Sequence, residues 1–87
     1  MSLEEAETTE VGLRAPQISR LLEAIGYPEA WVSDLSMLSD FAFESEPEER
    51  EAIVQRVRRA YGVTLRPEDF QLYLWQLVDE LERRPRA

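Results

Sequence analysis

The chain has 87 residues, 44% of them hydrophobic, and its 18 acidic and 10 basic residues give a net charge of −8. This length fits one domain, near the lower limit at which a chain buries enough surface to fold alone. The absence of cysteine and histidine excludes disulfides, thiolate catalysis, histidine acid–base chemistry and the usual zinc ligand sets.

The acidic balance predicts the kind of partner. It disfavours nucleic acid and anionic membranes and favours basic protein surfaces, although a requirement for solubility alone would also explain it. No stretch approaches the roughly 20 apolar residues of a membrane span, and the acidic start MSLEEAETTE lacks the pattern of a signal peptide. We therefore expect a cytoplasmic protein.

The N-terminal part predicts a tail followed by a helix. Residues 1–14 carry four glutamates and little apolar periodicity, so we expect a disordered acidic tail there. A first helix should begin at Pro16, which is tolerated in a first turn, and end at Gly26, which can adopt the left-handed conformation. Its apolar stripe, with helical spacing, is Ile18, Leu21, Leu22 and Ile25.

Residues 27–43 predict a long loop rather than a helix, because their apolar residues are irregularly spaced. The Ser33-Asp34 and Ser39-Asp40 pairs could each cap a single turn. A loop this rich in large apolar side chains should lie across the core, and long loops in small domains are often functional.

A second long helix should begin near Ser45 and end at Gly62. Ser45 and Glu48 have the spacing of a capping box, in which each side chain accepts from the other residue's backbone N–H. Pro47 and the neighbouring acids suit a first helical turn.

The last region, opening at Pro67, contains two apolar residues that point away from the common apolar face, Leu72 and Trp75. They indicate either a break near Gln71 that redirects the chain or an exposed contact patch. Residues 85–87 should be a frayed tail, which leaves a single helical domain over residues 15–84.

The predicted fold class is all-α. No segment alternates with a period of two residues, so we expect no sheet. The elements add up to a small antiparallel four-helix bundle, with three long helices, one short helix before the last, and a long loop between helices 1 and 2.

The chain resembles the acyl carrier proteins over roughly residues 16–82. The family's phosphopantetheine serine lies in a unit Asp-Leu-Gly-x-Asp-Ser-Leu, and this chain reads Asp40-Phe41-Ala42-Phe43-Glu44-Ser45-Glu46 in the same register. Other matching units are Ile25-Gly26-Tyr27, Val32-Ser33, Tyr61-Gly62-Val63-Thr64-Leu65 and Pro67-Glu68-Asp69. The resemblance implies an acyl-carrier-like fold and a non-enzymatic protein bearing covalent 4′-phosphopantetheine on Ser45.

The resemblance also implies how partners would dock. A carrier presents thioester cargo to a transferase, synthase or ligase, whose basic surfaces would meet the acids around the serine. The candidate docking residues are Asp40, Glu44, Glu46, Glu48 and Glu49. The acids lack calcium-loop spacing, so we predict no metal site, and we expect a monomer without catalytic residues.

Two alternatives stay open at this point. Glu46-Pro47 replaces the family's leucine after the serine, which favours a carrier-fold relative without the prosthetic group that acts as a docking or regulatory module. Ser45 would then be a plain helix cap. The chain could also be an unrelated small helical interaction domain that self-associates through Leu72 and Trp75.

Overall fold

The computed structural model describes residues 7–43 and 45–85. Four α-helices lie in these ranges: α1 (Thr9–Leu13), α2 (Ala15–Ile25), α3 (Pro47–Tyr61) and α4 (Leu74–Arg83). Two 3-10 helices, Leu38–Asp40 and Pro67–Gln71, complete the regular structure. No strand occurs within the described parts of the chain, so the all-α prediction is confirmed.

Helix α2 follows its sequence pattern closely. Ile18, Leu21, Leu22 and Ile25 are all buried, as their spacing on one face requires. Gly26 ends the helix with φ = 94°, in the left-handed region, and its N–H donates to the Glu23 carbonyl at 3.2 Å.

Helix α1 corrects the prediction of a disordered tail over residues 1–14, of which residues 1–6 lie outside the described part. The cause is a contact that is remote in sequence. The Asp34 carboxylate accepts the backbone N–H groups of Glu10 at 3.1 Å and Val11 at 3.0 Å, at an end where helices leave N–H groups unpaired. Since Pro16 has no N–H to donate to Gly12, the chain bends at Arg14 and restarts as α2.

The loop over residues 27–43 lies on the core only in part, since Trp31, Leu35 and Phe43 are largely exposed. Leu38 and Ala42 are fully buried, and the rings of Tyr27 and Phe41 pack with centroids 4.9 Å apart. The loop also contacts the start of α4, because the Leu74 N–H donates to the Ser36 carbonyl at 2.8 Å. The two 3-10 helices pack against each other at this place.

The predicted break near Gln71 is confirmed. The expected short helix is the 3-10 helix ending at Gln71, and Leu72 and Tyr73 are extended before α4 begins. Leu72 and Trp75 are half-buried against the core, and the Trp75 indole N–H donates to the Asp34 carbonyl at 3.0 Å. They do not form an exposed contact patch.

One hydrophobic core joins all of these elements. Helix α2 packs against α3 and α4, and α1 packs against α2 and α4. The fully buried centre is formed by Leu21, Ile25, Leu38, Ala42, Ile53, Val57, Leu74 and Leu77. Among the helices described, none has both the length and the apolar content that crossing a bilayer demands.

Candidate functional site

Ser45 is exposed and lies just before α3. The sequence predicts it as the N-cap of this helix, but it precedes the N-cap residue by one position. The helix begins at Pro47 and its N-cap residue is Glu46, with no side-chain cap hydrogen bond. The predicted capping box of Ser45 and Glu48 is therefore wrong. Pro47 at the first helical position fixes where the helix starts, and it leaves the serine outside, in solvent.

A closed turn holds the serine in place. The Glu46 N–H donates to the Phe43 carbonyl at 2.9 Å, and the Phe43 N–H donates back to Glu46 Oε1 at 3.2 Å. The same arrangement, a side chain accepting from the N–H three residues earlier, recurs at Asp69 with Arg66. Glu46 thus stabilises the backbone around position 45, and the hydroxyl is not needed as a cap.

The predicted docking acids divide into three groups. One open cleft of about 450 Å³ is lined by three of these acids, Glu46, Glu48 and Glu49, together with Ser45 and Pro47. Asp40 does not line this cleft, since its carboxylate accepts the Met37 N–H at 2.9 Å inside the loop. Glu44 lies outside the described residues.

Arg50, whose role the sequence did not predict, connects the loop to α3. Its Nε donates to the Ala42 carbonyl at 2.9 Å, and its guanidinium lies 4.6 Å from the centre of the Phe70 ring. The contact fixes the segment that leads into Ser45. A sequence carries little signal for it, because the acceptor is a backbone carbonyl eight residues away.

Two apolar features flank the serine. Phe43, two residues before it, is 60% exposed, as are three other large apolar side chains to a similar or greater extent, Leu13, Trp31 and Leu35. A second cleft of about 330 Å³ runs between α3 and the 3-10 helix Pro67–Gln71, lined partly by Val54, Leu65 and Phe70. It shares Pro47 with the acidic cleft.

Within residues 7–43 and 45–85, no group of three or more metal-ligating side chains is arranged to hold a metal ion. What the site offers chemically is an exposed hydroxyl just before a helix start, in a cleft lined by three carboxylates, with an exposed phenylalanine two residues earlier in the chain.

Comparisons with known proteins give no family assignment. A scan against protein-family models, a search of curated proteins and a search of solved structures each found no match to this chain. Functional inference therefore depends on the residues themselves.

Proposed function

We propose that this chain is an acyl-carrier-like protein that bears 4′-phosphopantetheine on Ser45 and presents thioester cargo to partner enzymes. The observation that carries the proposal is the position of Ser45: exposed, ahead of the N-cap of α3, and released from any capping role by Glu46. A carrier needs an attachment hydroxyl that a second protein can reach. The arrangement of the helices as an acyl-carrier-like four-helix bundle, and a cytoplasmic location, belong to the same proposal.

The residues present fit the prosthetic group. Position 45 opens on a cleft of about 450 Å³, and no side chain of the described residues caps the first turn of α3. The backbone N–H groups of Glu48 and Glu49 therefore remain available to a phosphate next to the helix start. The group would supply a thiol on a flexible arm, on which acyl cargo is held as a thioester.

The attachment chemistry assigns one atom of this chain. Ser45 Oγ would form a bond to the phosphorus that carries pantetheine in coenzyme A, while the anhydride bond to 3′,5′-ADP breaks. The hydroxyl proton would pass to a base of the transferring enzyme. This chain would hold and present Ser45, and the partner would perform the catalysis.

The acids of the cleft would guide partners to the serine. Glu48 and Glu49 are exposed, and neither belongs to an ion pair among the described residues. Charges of this kind raise association rates and favour the correct partner more than they add affinity. A basic enzyme surface is the complementary partner.

A specific observation favours a second candidate, a docking module without the prosthetic group. Glu46 occupies the position of the carrier family's leucine, and its carboxylate is folded back onto the Phe43 N–H at 3.2 Å. An enzyme that recognises an apolar residue at this position would meet a charged one. In that case the same acidic cleft would bind a basic partner without any modification of Ser45.

The test is an intact-mass measurement after incubation with coenzyme A, magnesium and a broad-specificity phosphopantetheinyl transferase. We expect a single phosphopantetheine increment that disappears in Ser45→Ala and remains in Ser19→Ala, a control on the exposed surface of α2. Glu48→Lys combined with Glu49→Lys should slow modification without reducing its final extent.

An unchanged mass, with circular dichroism showing an intact fold, would reject the carrier function and leave the docking module. Modification that persists in Ser45→Ala would place the group elsewhere and reject Ser45 as the attachment residue.

A further inference from the structure

Helix α3 carries charges that are separated along its length. Glu48 and Glu51 lie in its first two turns, and Arg58 and Arg59 lie in its last turn. All four side chains are exposed. Gln55, also exposed, lies between the two pairs.

These five residues share one face of the helix. At 3.6 residues per turn each residue advances about 100°, so Glu48 and Arg59, eleven residues apart, lie within about 20° of each other. Glu51 and Arg58, seven residues apart, are also within about 20°. The five side chains occupy a stripe about 100° wide, acidic at one end and basic at the other.

One contact within the chain engages the stripe, since Gln55 Nε2 donates to Glu51 Oε2 at 2.7 Å, but no contact within the chain pairs its acids with its arginines. The other two arginines of α3 are engaged by the chain itself, since Arg56 Nη1 donates to the Ile25 carbonyl at 2.9 Å and Arg50 binds the Ala42 carbonyl. The four stripe charges take part in none of the ion pairs found in the described ranges. The helix dipole favours acids early and arginines late, but it does not require them to share a face.

We propose that two copies of this chain associate through antiparallel α3 helices, related by a two-fold axis near residue 54. The stripe is self-complementary under this operation. Glu48 would face Arg59 of the second copy, and Glu51 would face Arg58 of the second copy. The midpoints of these pairs along the helix lie at about residues 53.5 and 54.5, so one two-fold axis can serve both pairs. A two-fold axis repeats each pairing, so four ion pairs form at once.

The association would be weak and dependent on salt. Exposed ion pairs contribute little individually, and the net charge of −8 opposes any self-association. At about 0.15 M salt the screening length is about 8 Å, so distant repulsion is reduced more than contacts at 3–4 Å. We expect a dimer at high protein concentration in 0.15 M salt and dissociation in 1 M salt.

This inference does not depend on the carrier proposal, and it departs from the monomer expected from the sequence. It has one consequence for that proposal. Glu48 lines the cleft beside Ser45, so the paired form would cover part of the surface that a partner enzyme needs.

Charge exchange provides the test, read by sedimentation equilibrium. One variant combines Glu48→Arg with Glu51→Arg, which makes the stripe wholly basic; the other combines Arg58→Glu with Arg59→Glu, which makes it wholly acidic. Each alone should be monomeric at concentrations where the parent dimerises. An equimolar mixture should form a heterodimer, since all four pairs are then opposite in sign.

The control for the basic variant is Glu23→Arg combined with Glu29→Arg, which changes the net charge by the same amount at exposed positions away from α3. It should dimerise at least as well as the parent. A parent that stays monomeric up to millimolar concentration would overturn the proposal, as would a dimer that survives either charge-exchanged stripe or 1 M salt.

The position of the axis can be tested independently because the chain has no cysteine. Gln55→Cys places one thiol per copy next to the proposed two-fold axis, so mild oxidation should give a disulfide-linked dimer. Ser19→Cys on α2 should not cross-link above the level expected for random collision. Equal cross-linking of the two variants would reject the antiparallel pairing.

Discussion

The Arg84 guanidinium donates two parallel hydrogen bonds to the Asp69 carboxylate, at 2.8 and 2.9 Å. Asp69 is 1% exposed and also accepts the Arg66 backbone N–H at 2.8 Å. Since Arg84 follows the last residue of α4 and Asp69 lies in the 3-10 helix Pro67–Gln71, this pair fixes the end of α4 to the segment before it.

Removal of the arginine should therefore be strongly destabilising. Arg84→Met removes the cation that is hydrogen-bonded to this buried carboxylate and leaves only Arg66, whose Nε lies 3.9 Å from Asp69 Oδ2. We expect a loss of about 3 kcal/mol in the free energy of unfolding, measured by urea denaturation. The neighbouring Arg83 is exposed, so Arg83→Met should change stability by less than about 0.5 kcal/mol. Equal losses in the two variants would contradict this account.

Asp69 should also make the free energy of unfolding depend on pH. Burial opposes its ionisation, but hydrogen bonds from Arg84 and from the Arg66 backbone outweigh burial and hold the pKa of Asp69 below its ordinary value. The unfolded chain therefore binds the proton at higher pH than the folded chain does. The stabilisation is complete above the ordinary aspartate pKa of about 4 and is lost as the pH falls through the lower pKa of the folded state.

Comparison with Asp69→Asn isolates this contribution from those of the other carboxylates. The difference in free energy of unfolding between parent and variant should be largest near pH 7 and should shrink as the pH is lowered from 4 to 2. A difference that stays constant over this range would show that the charge of Asp69 does not stabilise the fold.

Helix α1 should depend on Asp34. With five residues it is too short to be stable alone, and the Asp34 carboxylate accepts two of its first N–H groups. Asp34→Ala should reduce stability by about 1–2 kcal/mol and increase amide exchange in residues 9–13, with little change in α3. Asp34→Asn keeps one acceptor oxygen, so its stability should lie between those of the parent and Asp34→Ala. If the amides of residues 9–13 stay protected from exchange in Asp34→Ala, Asp34 does not hold α1.

Two glycines should respond to the same substitution in opposite ways. Gly26→Ala places a side chain at φ = 94°, with its Cβ 3.4 Å from Arg56 Nη1, and should cost about 1 kcal/mol. Gly12 lies inside α1 with nothing within 4 Å of an added Cβ. Gly12→Ala should therefore stabilise the protein by about 0.5–1 kcal/mol, measured by thermal or urea unfolding.

Ser45→Ala should leave stability within about 0.5 kcal/mol of the parent, because Glu46, not Ser45, is the N-cap. Glu46→Ala is the matched comparison and should be the more destabilising, since it removes the acceptor of the Phe43 N–H. A loss of about 1 kcal/mol or more in Ser45→Ala would restore the serine as a structural cap.

Most of the fold could be predicted from local patterns. The apolar stripe of α2, its end at Gly26 and the break near Gln71 all follow from spacing and from residue types that restrict the backbone. Each of these signals lies within a few residues of the feature it predicts.

The features that the sequence patterns did not predict are held by contacts with residues far along the chain or with backbone groups. Helix α1 has a single buried residue, Val11, and is held by Asp34, more than twenty residues later. The serine at position 45 was predicted to cap α3, whereas Pro47 moves the start of the helix and Glu46 takes that position. Residue spacing alone does not distinguish two neighbouring polar residues that could both cap a helix.

The contacts of α1 also set the order in which the structure can be completed. Arg14, which follows this helix, hydrogen-bonds to Asp79, 65 residues later, and Asp34 itself receives the indole of Trp75. During synthesis on a ribosome, residues 9–13 leave the exit tunnel before α4, so these two hydrogen bonds can form only after α4 has emerged. Part of the support of α1 is thus completed late in synthesis, although the Asp34 carboxylate can bind its first N–H groups earlier.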